Sequence, residues 1–128
     1  MGERGYGSVL ALALIFGGVL LIGLATDVTR LVFVWRETSH IANTAAETGA
    51  GWVQPADLYR GDLVVDVAAA ESSALAIASG PHRSVQVAAN PDGVCVTVEQ
   101  WVSPGITRLV GGASKAVGVT ACARPRRG

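Results

Sequence analysis

The two cysteines, Cys95 and Cys122, are the residues of this chain best suited to react with each other, by forming a disulfide. Both lie in stretches of alternating apolar and polar residues, and the alternation predicts a strand register that places one cysteine directly opposite the other. Opposed cysteines in a non-hydrogen-bonded antiparallel pair are close enough to form a disulfide. Two unpaired, half-buried thiols are the alternative. A disulfide would indicate that this part of the chain faces an oxidising compartment.

Few other side chains offer chemistry. The only histidines, His40 and His82, are expected on the polar face of a helix and in a turn, where they would be solvated. The sequence contains no nucleophile elbow, Walker loop, HExxH motif or paired-cysteine metal spacing. The formal net charge is 0 and no basic stripe is interleaved with aromatic residues, which argues against nucleic-acid binding. We therefore expect no enzyme activity, no metal, no cofactor and no small-molecule substrate.

Asp27 and Arg30 are two charged residues that directly follow a long apolar stretch. At a spacing of i, i+3 they can pair on one face of a helix. They would then form either an ordinary interfacial ion pair, worth less than about 1 kcal/mol where exposed, or contacts with charges on neighbouring helices in an assembly.

The apolar stretch before them, residues 5–26, contains 22 residues without a charge. A bilayer's hydrocarbon core requires about 20 such residues, so the stretch predicts one membrane span. A cleaved secretory signal, with small residues at 23–25 as the cleavage site, is the alternative. Within the span, Gly17, Gly18 and Gly23 would allow either close helix contact or local unwinding.

The helix that contains this span should continue beyond the membrane. Apolar or small residues recur at helical spacing through residues 28–49, and the pattern ends at the "GAGW" of residues 49–52. A single helix from about residue 6 to about residue 49 would be on the order of 65 Å long, half membrane span and half stalk.

A second helix is predicted within residues 61–81, with Asp62 as its N-cap and with Gly80 and Pro81 at its end. Its apolar face would consist of Leu63, Val67, Ala70, Ala74 and Ile77.

Three strands should follow, at residues 84–89, 94–102 and 116–123. Pairing Ala89 with Val94, and Val98 with Val119, makes one face of the sheet uniformly aliphatic. The second helix is the natural cover for this face.

These elements predict an α+β fold. Residues 1–52 would form a transmembrane and stalk helix, and residues 53–128 an extracytoplasmic head with one helix packed on a three-stranded antiparallel sheet. The segment 103–115 connects the last two strands. It is predicted either to fold its apolar side onto the sheet or to form an exposed partner-binding loop. The residues of that loop expected to contact a partner are Ile106, Arg108, Leu109 and Val110.

The N-terminal third resembles the TadE/TadG-like family of tight-adherence (Tad, or Flp) pilus-assembly proteins. Three features carry the resemblance: Arg4-Gly5 and Ser8 opening the apolar span, the "DVTR" of residues 27–30 after it, and the small-residue run "ANTAAETGAG" of residues 42–51. No glutamate follows Gly2, Gly5 or Gly7 at the fifth position, unlike in processed pilins.

The resemblance implies a single-pass, pilin-like subunit of a type IV-like pilus. Its head would lie outside the cytoplasmic membrane, and the subunit could be incorporated into an extracellular pilus. Its partners would be membrane lipid, other pilin-like subunits and the inner-membrane assembly machinery. The alternative is a single-pass envelope accessory protein whose head binds a partner through the 103–115 loop without polymerising.

Overall fold

The computed structural model describes residues 3–103, 105, 108 and 111–126, with side chains from Gly5 onward. Three helices precede three strands, and the strands form one antiparallel sheet in the order β1-β2-β3. The predicted α+β fold is confirmed. The elements are α1 (Glu3–Ala50), α2 (Pro55–Leu58), α3 (Val67–Ala78), β1 (Arg83–Asn90), β2 (Gly93–Val102) and β3 (Lys115–Ala123).

Helix α1 is continuous over 48 residues and is therefore about 70 Å long. Its first half is apolar and exposed. Only 6% of its most hydrophobic 18-residue window is buried. The hydroxyls of Thr26 and Thr29 donate to carbonyl oxygens four residues earlier, at 2.9 and 2.8 Å. These polar side chains at the end of the apolar span thus have partners within their own helix.

The second half of α1 forms part of the core of the head. Its buried alanines pack against the alanines of α3 and the inward-facing valines of β2. These small side chains permit close approach: a Cβ built on Gly49 would lie 3.3 Å from the Ala70 carbonyl oxygen and 3.3 Å from the Val94 Cγ1 atom. Both α1 and α3 therefore cover the aliphatic face of the sheet. The core residues are Ala42, Ala45, Ala46, Ala50, Val65, Ala70, Ala74, Ala78, Val94, Val96, Val98 and Ala121.

The predicted strand register is confirmed. Ala89 pairs with Val94 in β1 and β2, and Val98 pairs with Val119 in β2 and β3. The two-residue connection between β1 and β2 leaves Gly93 so close to β3 that an added Cβ would be 2.6 Å from a backbone oxygen. A larger residue there would separate the strands.

The same register places the cysteines opposite each other on the outer face of the sheet, and they form the predicted disulfide. Cys95 and Cys122 have Cα atoms 4.0 Å apart and are separated by 27 residues in sequence. The bridge joins β2 to the edge strand β3, away from the aliphatic core.

The prediction for residues 61–66 was wrong. Helix α3 begins at Val67, and Asp66, not Asp62, caps it by accepting a hydrogen bond from the Ala69 N–H at 3.2 Å. Val65 and Asp66 are extended instead: Val65 forms an isolated bridge with Val53, and its N–H donates to the Pro91 carbonyl. The consecutive β-branched residues favour this conformation.

The predicted buried face of the second helix also shifts. Ala70, Ala74 and Ala78 are fully buried, whereas Ile77 is 38% exposed. The short helix α2 was not predicted.

Replacing Gly49 with leucine should destabilise the head by about 2–3 kcal/mol, because the larger side chain cannot fit between α1, α3 and β2. Urea unfolding of the full chain in mild detergent, followed by tryptophan fluorescence, measures the change. Gly17→Leu is the matched control, since no described residue other than the adjoining backbone of α1 lies within 4 Å of a Cβ at Gly17. Equal urea midpoints for the two variants would contradict the packing described.

Reduction of the disulfide should lower the free energy of unfolding by about 3 kcal/mol, since the bridge closes a long loop in the unfolded chain. The same urea titration with and without a thiol reductant measures this loss. A Cys95→Ser/Cys122→Ser variant should unfold at the midpoint of the reduced wild type and should not respond to the reductant. An unchanged midpoint on reduction would show that the bridge contributes nothing to stability.

Candidate functional site

The head lies alongside α1 and reaches back to the end of the apolar span. β2 begins near the far end of α1, where Val94 contacts the region of Gly49. β2 ends at Val102, which lines a cleft together with Leu24 of α1. The connection from β2 to β3 is therefore at the same level as the first charged residues after the span.

Asp27 and Arg30 meet this connection at Gly105. A Cβ built on Gly105 would lie 2.7 Å from Asp27 Oδ1 and 3.4 Å from Arg30 Nη1. The two side chains thus lie on the same side of the helix, as the i, i+3 spacing indicates. Asp27 is half-buried and Arg30 is exposed. The absence of a side chain at Gly105 allows the backbone to approach both charged side chains.

The cleft around this contact, here called the membrane-edge cleft, has a volume of about 330 Å³. One side is formed by α1 and the other by the ends of β2 and β3 and their connection. Its lining combines aliphatic side chains with two cations and one carboxylate. The residues are Leu24, Asp27, Val28, Arg30, Leu31, Val102, Ser103, Gly105, Gly112, Ala113 and Lys115.

A polar cluster about two helical turns beyond Arg30 along α1 was missed from the sequence. Thr38 is fully buried, and its hydroxyl donates to the Val34 carbonyl at 2.7 Å and lies 3.3 Å from Gln100 Oε1. Arg83 Nε donates to that oxygen, at 3.3 Å, and Arg83 Nη2 lies 2.7 Å from Glu37 Oε1.

This cluster links the beginning of β1 and the end of β2 to α1. The Glu37 side chain is 56% exposed, so its ion pair contributes at most about 1 kcal/mol. Its effect is mainly to orient the sheet on the helix. A sequence signal was present, because a threonine interrupts the apolar stripe directly after a glutamate. However, the partner of Glu37 lies 46 residues away and the partner of Thr38 lies 62 residues away.

Large apolar side chains remain exposed on α1 beyond Asp27. Leu31, Val32 and Trp35 are 42%, 46% and 54% exposed, and they line a second groove of about 420 Å³ beside the edge strand β3. Phe33 is 67% exposed. The apolar surface of the helix therefore extends beyond the first charged residues.

The other predicted site residues are distributed along the chain. Among the described residues, nothing beyond the adjoining backbone of α1 lies within 4 Å of a Cβ built on Gly17 or Gly18, whereas Gly23 is buried. Arg108 is exposed. Ile106, Leu109 and Val110 lie outside the described residues, so the predicted partner loop remains a prediction. Within the described part of the chain, no three His, Cys, Asp or Glu side chains group as metal ligands.

No known protein family, curated protein or solved structure matches the chain. The structure itself defines the class: a small α+β protein with one N-terminal helix long and apolar enough to cross a membrane. The exposure of its apolar window distinguishes this helix from the buried core helix of a soluble protein.

Replacing Gly105 with valine should displace the connection from α1, because a side chain there would collide with the Asp27 carboxylate. If the substitution destabilises this contact by about 1 kcal/mol, the fraction of molecules whose β2–β3 connection is detached from α1 should rise roughly fivefold. Trypsin cleavage after Lys115, measured under native conditions, should accelerate by a similar factor.

Gly118→Ala is the control for this variant. A Cβ at Gly118 makes only an ordinary contact with Glu99, at 3.5 Å, and the cleavage rate should not change. Equal rates for the two variants would show that the approach of Gly105 to Asp27 does not hold the connection in place.

Proposed function

We propose that this protein is a membrane-anchored, pilin-like subunit or assembly protein of a Tad-type, type IV-like pilus. It acts by packing α1 against the helices of other pilin-like subunits. The span holds the protein in the cytoplasmic membrane before assembly. The head lies outside the cytoplasm, which the disulfide supports, because such bridges persist in oxidising compartments.

The length of the exposed apolar surface on α1 is the observation that carries this proposal. Exposed large apolar side chains continue from Tyr6 to Trp35, about 30 residues and on the order of 45 Å of helix. The hydrocarbon core of a bilayer is only about 30 Å thick. Lipid tails can therefore cover about two-thirds of this surface. The remainder, beyond Asp27, favours cover by protein.

The contact surface within the span is also open. Gly17 and Gly18 leave a gap beside bulky exposed residues such as Leu14 and Leu21, and small residues let a second helix approach closely in lipid. Asp27 and Arg30 are at the boundary of the span, where charges can set the axial register of neighbouring helices. The order of these features is also what gives the resemblance to the TadE/TadG-like proteins.

Gly17→Leu should reduce association with other pilin-like subunits, because it fills this gap. Asp27→Ala should reduce it by removing the charge at the boundary. Each is expected to cost about 1–2 kcal/mol, a five- to thirtyfold loss. The measurement is co-purification of pilus components with the tagged full chain from its host membrane. Val19→Leu, which adds bulk elsewhere on the span, is the matched control.

The same experiment separates the two candidate functions. A wild-type chain that brings down a soluble partner, with no other pilin-like subunit and no inner-membrane platform protein, would favour the accessory-protein alternative. Unchanged association of both Gly17→Leu and Asp27→Ala would contradict packing through this face of α1. Urea unfolding of each variant verifies that the head remains folded.

A further inference from the structure

The membrane-edge cleft lies at the depth of the lipid headgroups if α1 spans a bilayer. The uncharged residues 5–26 match the hydrocarbon core in length, so the hydrocarbon boundary is close to Thr26. The headgroup layer adds roughly 5–7 Å on each side, which corresponds to about four further helical residues. Asp27 and Arg30 fall within this layer, and both line the cleft.

The opposite wall of the cleft must lie at the same depth. Val102, Gly105 and Lys115 line it together with the α1 residues, and Gly105 approaches both charged side chains of α1 closely. If α1 spans a bilayer, the ends of β2 and β3 would therefore contact the membrane surface.

The lining of the cleft has an apolar part and a cationic part, which match the acyl chain and the phosphate of a phospholipid. Leu24 and Val28 provide an apolar wall on the side that continues into the span. Arg30 and Lys115 are exposed cations that lie at the headgroup level. The Asp27 carboxylate and the Arg30 guanidinium both lie beside Gly105, so the lining carries two cations against one carboxylate and has a net positive charge. Arginine and lysine are the residues that bind phosphate in proteins.

We propose that the membrane-edge cleft binds one anionic glycerophospholipid. Its phosphate is held by the Arg30 guanidinium and the Lys115 ammonium, and one acyl chain follows Leu24 and Val28 into the bilayer. The cleft volume, about 330 Å³, is within the range of small-ligand sites and suits a glycerophosphate headgroup. This proposal rests on the membrane span of the proposed function but not on pilus assembly.

The test uses the full chain in phosphatidylcholine vesicles that contain a small fraction of phosphatidylglycerol, spin-labelled near the glycerol end of one acyl chain. Electron paramagnetic resonance measures the fraction of label that the protein immobilises. The same measurement with spin-labelled phosphatidylcholine provides the reference. Because the two cations outnumber the one carboxylate, we expect the protein to prefer phosphatidylglycerol by about fivefold.

Neutralising both cations, in Arg30→Gln/Lys115→Gln, should abolish this preference. The matched control is Arg126→Gln, which removes an exposed arginine that lines a different groove together with Glu47 and Ala50 at the other end of α1. It should retain the wild-type preference. The urea midpoints of all three chains verify that the head is folded.

The outcomes separate this proposal from the proposed function. A chain that does not float with the vesicles on a density gradient has no membrane span, and both proposals then fail. A chain that floats but shows no lipid preference, or keeps it after both cations are neutralised, overturns the lipid site alone. Oxidative dimerisation of a Ser103→Cys variant in the same vesicles would place a second copy in the cleft and would also overturn it.

Discussion

The close contact between the small residues of α1 and the valines of β2 is the interaction on which the structure depends. Gly49 and the nearby alanines leave room for both α3 and the sheet to approach the helix axis. This contact makes the second half of α1 a core element, so that the head lies beside the helix. β2 runs from the far end of α1 towards the apolar span, so the β2–β3 connection lies beside the end of that span.

Helix α1 therefore has two different environments along its length. Its first half exposes bulky apolar residues, as a helix in lipid does, and its second half buries alanines, as a helix in a protein core does. Between them lies a segment with both charged and exposed apolar side chains, including Arg30 and Trp35. Both the proposed helix packing and the proposed lipid site involve this segment, because neither lipid tails nor the head cover it completely.

A small core of alanines and valines buries little apolar area per residue, which limits the stability available to the head. The disulfide between β2 and β3 and the Thr38–Gln100–Arg83 cluster add constraints at two different places on the sheet. The disulfide restrains the edge strand from the outer face. The polar cluster restrains the sheet from the helix side, near the end that faces the span.

Local periodicity determined the long helix, the three strands and the cysteine pairing, because alternation in a strand assigns every side chain to one face and leaves a single register that keeps the valines together. The same reasoning failed at residues 61–66, where extended backbone pairing with Val53 prevailed over a helical pattern. Only the tertiary structure placed Gly105 against Asp27 and Arg83 beside Glu37. Such contacts join residues far apart in sequence, and they depend on how the helix and sheet pack, which no local pattern encodes.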